Sequence, residues 1–125
     1  MPRKRKARNK KKKQERRLHP RIDQHLSINV AANGYDFVTS TQNISCVGAY
    51  CTIDKYVPPF TKVRIKLNLP ITQNGVRENC DVNCHGVIVR TEDDPDGKFN
   101  IAIFFNEIRD QPRQKITQYV KQFIG

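Results

Sequence analysis

The chain has 125 residues, a hydrophobic fraction of 37%, four cysteines and a formal net charge of +11. That length suits one domain with a real core and is short for two. It contains no run of 18 apolar residues, which excludes a membrane-spanning helix, and its basic N-terminus lacks the apolar segment of a secretory signal. Cys46, Cys51, Cys80 and Cys84 are therefore expected to be reduced thiols of a cytoplasmic protein rather than a disulfide framework.

The charge is unevenly placed. Eleven of the 23 basic residues and a single acid, Glu15, fall within residues 1–17, so the remainder of the chain is almost neutral. Residues 1–14 (MPRKRKARNKKKKQ) carry nine basic residues and no acid. A segment of that composition repels itself and buries too little surface to fold. A disordered basic tail is expected over 1–14 and a folded domain over 15–125. Such a tail attracts RNA, DNA or an anionic surface electrostatically, but no aromatic side chains interleave with its charges to stack on bases. A nuclear-localisation reading is open to the same run.

Along the domain, Leu26, Ile28 and Val30 alternate with polar or small residues, and Asn33-Gly34 supplies a hairpin turn. Tyr35 to Thr41 is rich in β-formers and predicts the returning strand. A turn over Asn43–Gly48 leads to a short third strand with Cys51 and Ile53 on one face. Asp54 to Phe60 reads as a loop. Val63, Ile65, Leu67 and Leu69 form the clearest alternation in the chain, which Pro70 is expected to stop. After the Asn74-Gly75 turn, Cys80, Val82 and Cys84 alternate, and Gly86 predicts a bulge or bend. Val87 to Val89 continues to an exposed loop over Thr91–Lys98, and Phe99 to Phe105 forms the last strand. Asp110 caps a helix with Pro112 in its first turn, and Ile116, Tyr119, Val120, Phe123 and Ile124 make one apolar stripe. The fold class is mainly β: a small six-stranded antiparallel barrel with one C-terminal α-helix.

Two short motifs carry chemistry. In Arg16-Arg17-Leu18-His19-Pro20-Arg21, the proline disfavours helix, so the arginines lie on an extended or turned segment. Each guanidinium is a rigid fork of donors, and several held together make a socket for an anion with planar acceptor edges. In Asn43-Ile44-Ser45-Cys46-Val47-Gly48, the Asn and Ser side chains can bind either backbone or ligand, and Gly48 permits a close approach that a Cβ would forbid. Alone, the second motif reads as a turn. One hairpin separates it from Arg21, and a hairpin returns its exit to the neighbourhood of its entrance.

Together the motifs resemble those of the PilZ domain family. Its R-x-x-x-R motif matches Arg17 to Arg21, with Glu15-Arg16 before it, and its [D/N]-x-S-x-x-G motif matches Asn43, Ser45 and Gly48. Gly86–Arg90 and Phe99–Phe105 resemble the family's late barrel strands, so the resemblance spans about residues 15 to 124. Ala49 and Ala102 stand where the family often has Gly. The resemblance implies a non-enzymatic receptor for cyclic diguanylate (c-di-GMP) that signals to a protein partner. It also implies the site residues: Arg16, Arg17 and Arg21 for guanine edges and phosphates, Asn43 and Ser45 for the rest of a guanine edge, and Gly48 for backbone approach. The alternatives are a small-barrel RNA or DNA binder that uses the tail, and a protein-interaction module without nucleotide.

No cofactor or metal is expected. On one strand Cys80 and Cys84 lie about 13 Å apart at ~3.3 Å per residue, too far for one zinc, and His85 points to the other face. The acidic cluster Glu92, Asp93, Asp94 and Asp96 lacks an EF-hand ligand pattern because of Pro95 and the missing terminal Glu. His19 reads as a surface histidine within the arginine segment. No nucleophile–base arrangement has motif support, so no catalysis is expected.

Overall fold

Alternation of inward and outward side chains, clearest in the run Val63–Leu69, gives the strands one buried face each, and six such strands bury their inner faces by closing on themselves. The computed structural model describes residues 19–124, and the expected tail over 1–14, with Arg16 and Arg17, lies outside them. The elements are β1 (Ser27–Ala32), β2 (Tyr35–Ser45), β3 (Gly48–Ile53), β4 (Lys62–Gln73), β5 (Val76–Asp93), β6 (Phe99–Glu107) and α1 (Asp110–Ile124). The strands run in the order β1-β2-β3-β6-β5-β4, and β1 pairs with β4 to close the barrel. Every pairing is antiparallel. The mainly β, six-stranded expectation with one C-terminal helix is what the chain adopts.

Both Asn-Gly turns form. Asn74 and Gly75 have φ of 52° and 78°, the left-handed pair of a type I′ hairpin, which suits the right-handed twist of β4 and β5. Pro70 does not stop β4. The strand continues to Gln73, because β1 covers β4 only from Arg64 to Leu67. Beyond Leu67 no strand among the described residues pairs with that edge, so a residue without an N–H removes no ladder bond. Two further boundaries differ from expectation. β2 runs on through Ser45, and β5 extends to Asp93, which shortens the expected 91–98 loop.

Gly86 marks the change of partner along β5. The strand pairs with β4 up to Val87 and with β6 from His85 onward, with a register shift between His85 and Val87. A Cβ at Gly86 would lie 2.8 Å from Ile65 Cδ1 and 2.9 Å from the Phe104 carbonyl oxygen, so this crossing admits only glycine. The core is filled by Ile28, Ile44, Leu67, Leu69, Ile88 and Ile101, with Cys51 and Cys84 among them as small apolar residues. Cys80 is only partly buried.

The two buried thiols predict alkaline sensitivity. Burial pushes Cys51 from 9.0 up to about 12 and Cys84 up to about 11. The unfolded chain ionises both above pH 9 while the fold keeps them neutral, so the native state holds more protons there and stability falls as pH rises. Between pH 9 and 12 Cys51 is expected to steepen the loss by up to about 1.4 kcal/mol per unit. Urea unfolding of Cys51→Ala across that range should show a shallower slope than wild type.

Helix α1 flanks the barrel and packs against β4, β5 and β2. Ile116, Tyr119 and Val120 are buried. The predicted stripe ends there, because Phe123 and Ile124 are 46% and 50% exposed. They stand on the last turn, where Gln122 Nε2 reaches the Thr72 carbonyl at 3.4 Å near the far end of β4, and little of the barrel remains to cover them.

Candidate ligand-binding site

The segment before β1 is tied to β2 by a short ladder of its own. Ile22 and Ile44 exchange backbone hydrogen bonds of 2.9 and 3.0 Å, and both side chains are buried. Thr41 is fully buried. Its hydroxyl donates to the Gln24 carbonyl at 2.6 Å and accepts from the Leu26 N–H at 2.9 Å. Thr41→Val keeps the shape but strips two buried backbone groups of their partner. It is expected to cost about 2–3 kcal/mol, seen as a lower urea midpoint.

This ladder brings the two motifs into contact. Arg21 Nη1 donates to Asn43 Oδ1 at 3.2 Å, with Arg21 exposed and Asn43 half-buried. His19 Nδ1 lies 3.0 Å from Cys46 Sγ, so the variable positions of the motifs also touch. Of the six residues expected at the site, Arg21, Asn43, Ser45 and Gly48 are brought together around one strand junction; Arg16 and Arg17 lie outside the described residues.

The motif Ser and Gly meet backbone demands here. The Ser45 hydroxyl accepts from the Val47 N–H at 3.2 Å and reaches the Gly48 carbonyl at 3.5 Å, and the residue is only 1% exposed. Of the two roles open to this serine, backbone or ligand, the backbone role is occupied. At Gly48 a Cβ would sit 2.3 Å from the Ile103 carbonyl oxygen, so glycine is required for β3 to close on β6. The Val47 carbonyl then accepts from the Phe105 N–H at 2.8 Å, locking the turn to β6.

Strand register extends the site across the barrel's outer face. Asn43 is opposite Tyr50, Tyr50 opposite Ala102, and Ala102 opposite Arg90. These four residues form one row over β2, β3, β6 and β5, about 14 Å long at ~4.8 Å per strand. The Tyr50 hydroxyl donates to Glu92 Oε1 at 3.0 Å, Arg90 Cζ stands 6.0 Å from the Tyr50 ring centroid, and Arg90 Nε lies 3.5 Å from Glu92 Oε2. Burial, then the Glu92 carboxylate, pushes the Tyr50 phenol above its usual value, so it stays a donor. Between Tyr50 and Arg90 the Ala102 methyl leaves a shallow floor. Ala49 faces the core instead, 2% exposed, and does not touch this surface.

Tyr50, Arg90 and Glu92 were not among the expected site residues. The signal for them is period two counted outward from Asn43, but it becomes legible only with the β3–β6 and β6–β5 registers known. A separate groove of about 840 Å³, lined by Arg64, Lys66, His85 and Arg109 among others, lies over β1, β4 and β5, away from the motifs. The motif chemistry and this groove therefore do not coincide. The motif face is an open platform with cationic groups at two ends, Arg21 and Arg90, suited to a flat, polyanionic ligand rather than an enclosed one.

The sequence profile of the PilZ domain matches residues 15–122. No curated protein matches the chain. Among solved structures, the Bacillus subtilis inhibitor of motility (MotI/DgrA) has a similar fold, with a TM-score of 0.74 at 19% identity. The match covers 85% of this chain and 50% of that one, so this chain spans half the length of that protein.

Proposed function

The chain belongs to the PilZ domain family, a family of c-di-GMP receptors, and from that premise we propose that it binds c-di-GMP on the Arg21–Asn43 platform and signals to a protein partner. The observation that supports this most is the 3.2 Å hydrogen bond joining the two motifs. Two segments 22 residues apart meet side chain to side chain, at an exposed position where stability gains little from the contact.

The ligand's chemistry suits these residues. Each guanine offers O6 and N7 as adjacent acceptors, the edge that an arginine fork reads bidentately, and two phosphodiesters accept charge-assisted bonds. Arg21, with Arg16 and Arg17 from the preceding segment, takes guanine edges and phosphates. Asn43 takes the remaining edge, and Gly48 lets the backbone come close. Ser45 contributes by holding the turn as well as by any hydroxyl contact it makes with the ligand. Tyr50 and Ala102 form the floor, and Arg90 the far cation. Four charged hydrogen bonds give roughly 6–12 kcal/mol gross. Immobilising long arginine side chains and the ligand itself subtracts several, leaving a micromolar affinity near −8 kcal/mol.

Binding exchanges the Arg21–Asn43 contact for ligand contacts and repositions the 19–22 segment. The repositioned segment is the surface a partner reads. Titrating c-di-GMP while recording backbone amide resonances tests the placement. Shifts should concentrate at Arg21, Asn43, Tyr50, Arg90 and Ala102. Saturating ligand that leaves these amides unmoved, or equal shifts with GTP, contradicts it.

A further inference from the structure

Cys46 and His19 form the one cysteine–histidine contact recorded among the described residues, and nothing in the ligand chemistry above uses it. Cys46 lies in the turn between Ser45 and Gly48, is partly exposed, and has the exposed His19 ring nitrogen 3.0 Å from its sulfur. The other three thiols lack such a neighbour. Cys51 and Cys84 are buried in the core, where burial pushes them up to about 12 and 11 and keeps them protonated. Cys80 is partly exposed, on the β4–β5 ribbon, with no histidine recorded against it.

The position gives the pair leverage. His19 is two residues before Arg21, whose side chain is held by Asn43, and three before Ile22, whose backbone is held by Ile44. The turn on the other side is fixed: Ser45 Oγ holds the Val47 N–H and the Val47 carbonyl is bonded to the Phe105 N–H. A substituent on Cys46 Sγ occupies the space of His19. Because the turn is anchored to β6, the 19–22 segment is the side that moves.

We propose that Cys46, paired with His19, is a thiol-modification site at which a low-molecular-weight disulfide such as oxidised glutathione forms a mixed disulfide that detaches the 19–22 segment from β2. In the step, unprotonated His19 Nδ1 takes the thiol proton and Cys46 Sγ attacks one sulfur of the disulfide. The S–S bond of the reagent breaks, and its second half leaves as a thiolate that recovers the proton. Cys46 is oxidised to the mixed disulfide, and each reagent molecule leaves one half bound and releases the other as one free thiol. A reducing thiol reverses the exchange. The consequence for ligand affinity rests on the c-di-GMP reading; the reactivity and the detachment do not. By linkage, a bound ligand that holds the segment changes Cys46 reactivity reciprocally.

The test uses the full chain with oxidised glutathione, site-resolved mass spectrometry, and amide hydrogen exchange. Cys46 is expected to react at least about tenfold faster than Cys80, and His19→Gln to remove most of that advantage. In the modified protein the Ile22 and Ile44 amides should exchange faster, returning to the original rate after dithiothreitol. Cys46→Ser treated identically should show no change at either amide. Equal reactivity of Cys46 and Cys80, an undiminished rate in His19→Gln, or unchanged Ile22 and Ile44 exchange with Cys46 fully modified overturns the proposal. Where c-di-GMP binding is measured alongside, modification should weaken it by about tenfold or more. Failure of the unmodified protein to bind removes the ligand reading alone, since mass spectrometry and exchange decide the thiol site without it.

Discussion

Arg21→Ala is expected to weaken c-di-GMP binding by about 2–4 kcal/mol, roughly 30- to 1,000-fold, because it deletes a charge-assisted donor pair and leaves ligand acceptors unpaired. Equilibrium dialysis with labelled ligand reads the effect. The fold should be untouched: Arg21 is exposed and, among the described residues, its side chain makes a single hydrogen bond, to Asn43, so thermal unfolding should shift by no more than about 0.5 kcal/mol. Arg21→Lys should recover only part of the loss, since an ammonium keeps the charge but not the fork that matches a guanine edge. This split between ligand affinity and stability distinguishes a binding residue from a structural one. Thr41→Val should show the opposite split, losing stability first.

Gly48→Ala carries the second large effect, and it falls on the fold. The added Cβ would meet the Ile103 carbonyl oxygen at 2.3 Å. That atom is backbone inside the β3–β6 ladder, so relief requires the strands to part rather than a side chain to rotate. The expected cost is about 2–3 kcal/mol, seen as a lower urea midpoint. Because the Val47 carbonyl is bonded to the Phe105 N–H one step away, the same substitution should disturb the Asn43–Gly48 turn and weaken ligand binding as well. The close approach of β6 requires glycine at position 48, and the proposed ligand site would use the same lack of a Cβ.

These residues also show how much of the molecule is legible in its sequence. Alternation, with β-former content for Tyr35 to Thr41, placed the six strands, and the Asn-Gly pairs placed two hairpins, because all are local signals. Pro70 misled, since a missing N–H matters only where a neighbour wants it, and β1 ends its pairing with β4 at Leu67. The helix stripe overran at Phe123 and Ile124 for a similar reason: periodicity marks a face, not the extent of what covers it. Around the site, Arg21, Asn43, Ser45 and Gly48 were legible as motif residues and do converge. The Tyr50–Ala102–Arg90 floor was not, because it depends on the β3–β6 register, which pairs distant segments such as Tyr50 and Ala102, and on the β5–β6 register, which shifts between Ile88 and Arg90. The burial of Ser45 was likewise invisible, as its hydroxyl serves a turn that closes only once β6 is in place.

The central claim is that the two motifs, joined through Arg21 and Asn43, form one c-di-GMP site. Calorimetric titration of the 125-residue chain with c-di-GMP tests it most directly. The expected result is saturable heat with a Kd of about 1 μM that weakens by roughly 30-fold or more in Arg21→Ala. Absence of heat with wild-type protein, or undiminished binding by Arg21→Ala, would contradict it.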